Sequence, residues 1–241
     1  GNTQTVVGIY QDRSLLYRWR VATNKSHTSD ELRVKLVPLL ASEGLTLDDI
    51  HGVALASVVP ALTMAWRSAA HRMVGEEALV CSAETAGALF EADYPNPHEI
   101  GADRVADAVA AKALYGSPVI VVDFGTATNM EVIDADGRFI GGVIAPGVET
   151  SASALFSHAT KLGAIDLVDP GTAIGHNTEE AIQAGIVYGE ADRVDGIIRR
   201  IFAQLGYETT VVATGGLASR VAAQSQTITA INPELTLEGL R

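Results

Sequence analysis

Apolar residues gather in short β-rich runs and longer helical stretches, and the two alternate along the chain. TQTVVGIY (3–10) predicts a strand, with SLLYRWRVAT (14–23) as its hairpin partner across Gln11-Asp12-Arg13. Thr28-Ser29-Asp30-Glu31 then offers cap residues before Leu32, Val34, Leu36, Leu39 and Leu40, which predicts a helix to about Ala41. HGVALASVVP (51–60) has a buried-strand pattern, closed by Pro60 at the start of a helix through Trp66. Residues 78–81 predict a short strand. A polar, proline-rich segment, EADYPNPHEIGADR (91–104), leads into ADRVADAVAAKALYG, a helical pattern that stops at Gly116. Strands resume at SPVIVVDFG (117–125). Beyond them lie helices over about 150–156 and 178–205, the strand TTVVATGG (209–216) and a short helix from Leu217.

The restart of strands after Gly116 organises the rest. GNTQTVVGIY at Gly1 and GTATNMEVID at Gly125 share a layout: glycine, a hydroxyl or amide residue, a nearby threonine, then a β-run. Each is followed by a turn and another strand. A repeat this long points to duplicated domains rather than a solenoid. The expected division is 1–115 and 116–241, with the boundary over 114–118. With 241 residues, 47% hydrophobic and 19% charged, the chain can bury a sizeable core. Frequent glycine and few aromatics suit an α/β protein with tight strand-to-helix turns.

The formal net charge of -12 argues against a nucleic-acid partner, since a phosphate backbone rewards Lys and Arg. It leaves room for a small anion held by loop amides or helix N-termini. The single cysteine, Cys81, forms no intrachain disulfide and is expected to pack as a small apolar residue, which suits a reducing, cytoplasmic location. No apolar run reaches membrane-spanning length, so no membrane partner is expected. The first residue is Gly1 rather than methionine, and the sequence reads as one whose N-terminus lacks a few residues.

Several chemistries drop out on motif grounds. G-x-x-x-x-G-K-[ST], H-E-x-x-H, G-x-S-x-G and G-x-G-x-x-G are all absent, and the six histidines are scattered without ligand spacing. What remains is a set of glycine-rich strand ends: GNT (1–3), DFGT (123–126) and ATGG (213–216). Such turns expose backbone N–H groups that can cradle phosphate oxygens. Three of them, two in a repeat-like relation, point to a phosphate-binding cleft between two similar domains. Asp123 stands out because a carboxylate at the end of an apolar strand costs free energy unless something pairs with it. An ordinary hairpin with a solvated Asp accounts for that residue equally well.

These motifs resemble the acetate and sugar kinase, Hsp70 and actin superfamily, and within it the type III pantothenate kinases. The resemblance rests on GNT, YPNPHEIGADR (94–104), DFGTAT (123–128), GGVIAPGV (141–148), GHNTEEAIQAGIVYG (175–189), ATGGLA (213–218) and LTLEGLR (235–241), in this order. It implies two duplicated ribonuclease H-like domains of the actin-like ATPase kind with a cleft between them. The activity implied is ATP-dependent phosphorylation of pantothenate, the first committed step of coenzyme A synthesis.

Carried over residue by residue, the resemblance makes Asp103 the general base and Arg104 a partner for the pantothenate carboxylate. Gly101 and Ala102 join them in the substrate site, and Tyr94 and Thr178 contact pantothenate. Gly1, Asn2, Thr3, Gln4 and Thr126 meet ATP, and Asp123 binds a monovalent cation, K⁺ or NH₄⁺. Mg²⁺ accompanies ATP, and an acid of the family's first motif would lie two positions before Gly1. By themselves, Asp103 also fits a residue favoured by a helix dipole, Tyr94 a packed side chain and Thr178 a helix cap. The resemblance further implies a homodimer. The helical pattern over 178–205 offers apolar Ile182, Ile186, Val187, Val194, Ile197, Ile198 and Ile201 for it, unless that face packs within its own domain. Small residues at Ala184, Gly185, Gly189 and Gly196 would permit close helix approach. Two alternatives remain, an accessory regulator of transcription from the same family and a different small-molecule kinase. YPNPHEIGADR favours the pantothenate reading over the latter.

Overall fold

The computed structural model describes residues 1–158 and 165–241. It divides into two compact units, residues 1–110 with 236–241, and residues 111–235.

In the first unit, β1 (Gln4–Gln11) and β2 (Ser14–Ala22) form an antiparallel hairpin. Its turn places Asp12 at φ 53°, a left-handed conformation that Asp tolerates better than most residues. α1 (Ser29–Ser42) begins where its sequence encodes a cap. The Thr28 side chain accepts from the Glu31 N–H, and the Glu31 carboxylate accepts from the Thr28 N–H at 2.8 Å. β3 (Ala54–Leu55) pairs in parallel with β4 (Leu79–Val80). The buried strand expected over 51–60 is therefore only two residues long, and Ala54 is exposed. A strand extends only as far as a partner backbone follows it, and β4 is as short as β3. α2 (Pro60–Val74) opens on Pro60 and runs past Trp66 to Gly75.

After β5 (Glu91–Ala92), a 3-10 turn at Pro97–Glu99 leads into α3 (Ala102–Tyr115). Residues 236–240 of the last helix, α8 (Leu235–Leu240), close the unit. Thr236 donates to Asp107 at 2.6 Å and Tyr10 donates to Glu238 at 3.0 Å.

In the second unit, five strands lie side by side in the order β10-β9-β6-β7-β8: β6 (Val119–Phe124), β7 (Ala127–Ile133), β8 (Arg138–Pro146), β9 (Thr210–Thr214) and β10 (Ala230–Ile231). β6 pairs in parallel with β9 and antiparallel with β7. Four successive residues of β6, Val119, Ile120, Val121 and Val122, are fully buried, as a central strand covered on both faces requires.

The helices of this unit are α4 (Val148–His158), α5 (Thr178–Gln183), α6 (Gly189–Leu205) and α7 (Ala218–Ala222). Ile120, Val122 and Phe124 of β6, with Met130 and Val132 of β7, pack against Ala191, Val194 and Ile198 of α6. The single helix expected over 178–205 is interrupted by a π turn at Ala184–Tyr188. One extra residue in a turn leaves the apolar pattern readable on both sides, so periodicity does not reveal it. The apolar face of 178–205 packs within its own unit. Ile182, Val187, Val194 and Ile198 are buried, and Ile186, Ile197 and Ile201 pack on the same core. Among the described residues, no helix is long and apolar enough to cross a membrane.

Candidate active site

The first unit brings Gly101, Ala102, Asp103 and Arg104 together at the start of α3. Buried Ile100 anchors the chain before the turn, and the Gly101 carbonyl accepts from the Val105 N–H at 3.0 Å. The half-buried Asp103 side chain folds back, its Oδ1 accepting the Arg104 N–H at 2.9 Å. A Cβ on Gly101 would stand 2.7 Å from that oxygen and 3.4 Å from Val58 Cγ1. Gly101 thus supplies room for the carboxylate rather than an unusual backbone angle. The thiol of Cys81 lies behind the turn, 3.5 Å from the Ala102 carbonyl. Burial, then the negative charges of Asp103 and Asp107, push that thiol up to about 11, so it stays neutral and packs as expected.

Tyr94 is half-buried in the segment ahead of this turn. Gly1, Asn2 and Thr3 are exposed and precede β1, with Gln4 its first residue. Thr23, just past β2, holds this stretch: its N–H donates to the Thr3 carbonyl and its hydroxyl to the Gly1 carbonyl, both at 2.9 Å.

The second unit places Asp123 and Thr126 on one hairpin. Asp123 is half-buried near the end of β6, directly opposite Asn129 on β7 and Thr214 on β9. A solvated hairpin Asp is therefore not what the strand end presents. Gly215, at φ 94°, passes so close that a Cβ there would stand 2.4 Å from Asp123 Oδ1. On the other side of β6, the Asn129 Oδ1 atom is buried and has no hydrogen-bond partner among the described residues. A carboxylate and an unused amide oxygen at paired strand positions are donors of the kind that suit a hard cation. Asn129 escaped the sequence reading, although strand pairing across the short turn sets it opposite Asp123. Among the described residues, no group of three or more His, Cys, Asp or Glu side chains could hold a metal ion.

Thr126 is exposed at the turn, and its carbonyl accepts from Gly147 N–H at 3.1 Å and from the Thr150 hydroxyl at 2.6 Å. Thr178 stands elsewhere, as the exposed first residue of α5. It does not cap the helix. Asn177 does, accepting from the Glu180 N–H at 2.9 Å.

Residues 1–200 match the family described as type III pantothenate kinase. A type III pantothenate kinase from Desulfosudis oleivorans is 45% identical over 243 residues, covering 100% of this chain and 94% of its own. One from Roseiflexus sp. is 46% identical over 242 residues, again covering 100% and 94%. Among solved structures, the activator of the 2-hydroxyisocaproyl-CoA dehydratase from Clostridium difficile aligns over 99% of this chain and 88% of its own. Its TM-score is 0.57 at 15% identity. That likeness shows the fold alone, the duplicated ribonuclease H-like α/β fold of actin-like ATPases.

Proposed function

The chain belongs to the type III pantothenate kinase family, and on that premise we propose how its own residues carry out phosphoryl transfer from ATP to pantothenate. The reaction opens coenzyme A biosynthesis. Relatives that match along the whole of this chain carry the kinase name, and the regulator reading is not favoured.

In the proposed mechanism, Asp103 accepts the proton of the pantothenate hydroxyl as its oxygen bonds to the γ-phosphorus and the bond to ADP breaks. The observation that carries this is the Asp103 carboxylate itself, half-buried on the first turn of α3 and folded into space that only a glycine at 101 leaves. Arg104, beside it, suits the pantothenate carboxylate because a guanidinium presents a planar fork. Tyr94, Gly101 and Ala102 complete the substrate side, and Thr178 adds a hydroxyl that its helix does not use as a cap. Gly1, Asn2, Thr3, Gln4 and Thr126 receive the nucleotide. Asp123 and Asn129 would hold K⁺ or NH₄⁺. Such a cation, and Mg²⁺ on the ATP phosphates, supply charge neutralisation when bound. A homodimer and the domains 1–115 and 116–241 belong to the same proposal and rest on the family resemblance; the chain divides near that boundary, within α3, but residues 236–241 group with the first unit.

ADP release measured with pantothenate as acceptor tests the reading. Turnover should require pantothenate and rise when K⁺ replaces Na⁺ in ammonium-free buffer. Asp123→Asn should abolish that difference together with most of the activity. Equal rates in both salts would remove the cation from the proposal, and no pantothenate-dependent ADP would remove the base assignment as well.

A further inference from the structure

A buried carboxylate lies beneath the Thr126 turn. Glu190, the second residue of α6, is only 6% exposed. Its Oε1 accepts a 2.6 Å hydrogen bond from the hydroxyl of Thr128, which is also buried. Its Oε2 pairs with Nη2 of Arg193 at 2.5 Å, and the same nitrogen donates to the Pro146 carbonyl at 2.8 Å. The next residue, Gly147, donates its N–H to the Thr126 carbonyl. A Cβ on Gly147 would stand 2.3 Å from the Gly125 carbonyl oxygen, so β8 and the turn are in tight contact there.

These contacts close a ring. From Thr126 it runs along β7 to Thr128, crosses to Glu190 and Arg193, reaches Pro146 and returns through Gly147 to Thr126. Both sides of the turn are thereby referred to one helix. A buried carboxylate is costly unless it is paired and hydrogen-bonded, and such a pair is weak evidence for stability. An apolar residue at 190 would avoid that cost. The ring also begins immediately after the π turn at Ala184–Tyr188. An extra residue in the helix rotates every later side chain about the axis, and π turns recur at functional sites. Here that rotation sets Glu190 toward β7.

We propose that Glu190 and Arg193 are positioning residues for the nucleotide, fixing the Thr126 turn in the geometry that meets the ATP phosphates. The inference rests on the nucleotide role given to Thr126 above. Neither residue touches substrate; both act through the turn.

The test compares KM for ATP, KM for pantothenate, kcat and Tm in the full-length chain for Glu190→Gln, Arg193→Ala, Arg193→Lys and Thr126→Ala. Glu190→Gln keeps an acceptor for Thr128 and loses the charge that holds Arg193. It should raise KM for ATP roughly 10- to 100-fold, the scale on which supporting partners of a site act. KM for pantothenate should stay within about twofold, since a purely structural loss has no reason to separate the two substrates. Arg193→Lys should recover most of what Arg193→Ala loses. If Arg193→Ala fails to fold, the Gln and Lys variants decide. A folded Glu190→Gln with unchanged KM for ATP overturns the inference, as do parallel rises for both substrates that track Tm. Should Thr126→Ala also leave KM for ATP unchanged, the nucleotide role of Thr126 falls with it. A rise in Thr126→Ala alone overturns only the part played by Glu190 and Arg193.

Discussion

The chemistry assigned to Asp103 depends on where one carboxylate points. Its Oδ1 occupies space that any side chain at position 101 would contest, 2.7 Å from where a Cβ would stand. Two substitutions therefore separate the presence of the base from its placement. Asp103→Asn removes the proton acceptor, and kcat should fall about 10²- to 10⁴-fold while Tm holds. A variant retaining more than half of wild-type activity would sink the assignment. Gly101→Ala leaves the carboxylate in place but drives it from its seat, because a contact of 2.7 Å forces something to shift. Misplacing a catalytic group by an ångström costs on the order of 10²-fold. The expected signature is a loss of kcat approaching that size in a chain with native circular dichroism. Wild-type turnover in Gly101→Ala would show that the carboxylate acts from another rotamer.

At the scale of elements, the loop after α7 is tied to α6 by Asp195 and by Arg199, which donates to the Gln226 side chain at 2.7 Å. Asp195, 2% exposed, accepts from the Ser225 hydroxyl at 2.5 Å and from the Gln226 N–H at 2.7 Å. It also takes the Thr227 hydroxyl at 2.7 Å and the Thr227 N–H at 3.1 Å. Burial by itself would raise its pKa, but the hydrogen bonds from Ser225, Thr227 and the two backbone amides outweigh it and hold the carboxyl below its ordinary value. A lowered folded-state pKa contributes stability above the ordinary value near 4 and loses it as the pH falls through the folded-state value. Asp195→Asn should therefore cost about 1–3 kcal/mol at neutral pH. The gap in Tm between variant and wild type should narrow as the pH drops below about 4. A gap that stays constant from pH 7 to pH 3 would contradict the linkage.

The same scale shows what the chain makes legible. The capping box at Thr28 and Glu31, the stop of α3 at Gly116 and the apolar run of β6 depend on residues a few positions apart, and each element forms where its sequence indicates. β3, the π turn and α8 depend on partners far along the chain. β3 is cut short by the length of β4, the π turn is one added residue inside an unbroken pattern, and α8 is held by Asp107 and Tyr10. The site divides in the same way. GADR and DFGT are contiguous and readable, whereas the burial of Glu190 beneath Thr128 joins positions 62 residues apart.

For the whole molecule, the homodimer in the proposed function has only part of the stripe the sequence offered left for it, since Ile186, Ile197 and Ile201 are half-buried and the rest is buried. Ile182, Val187, Val194 and Ile198 are spent in the chain's own core, so two copies cannot pair through them without unpacking it. Beside those half-buried isoleucines, Gly185, Gly189, Asp192, Arg199 and Arg200 are exposed. Each copy also carries a formal net charge of -12, so association works against repulsion between like charges. Salt screens that repulsion, with a Debye length of about 8 Å near 0.15 M against about 30 Å at 0.01 M. The dimer should therefore be better populated at physiological than at very low ionic strength. Light scattering at low micromolar concentration checks this directly. A mass near 25.2 kDa, that of one chain, in an active preparation at 0.15 M salt would overturn the dimer. If the dimer holds, Thr178→Ala should weaken pantothenate binding more than ATP binding, because α5 presents that hydroxyl outward while Asn177 does the capping. A mixed dimer with one Asp103→Asn chain should keep one working site. Loss of both sites in it would mean that the two bases act together rather than each in its own chain.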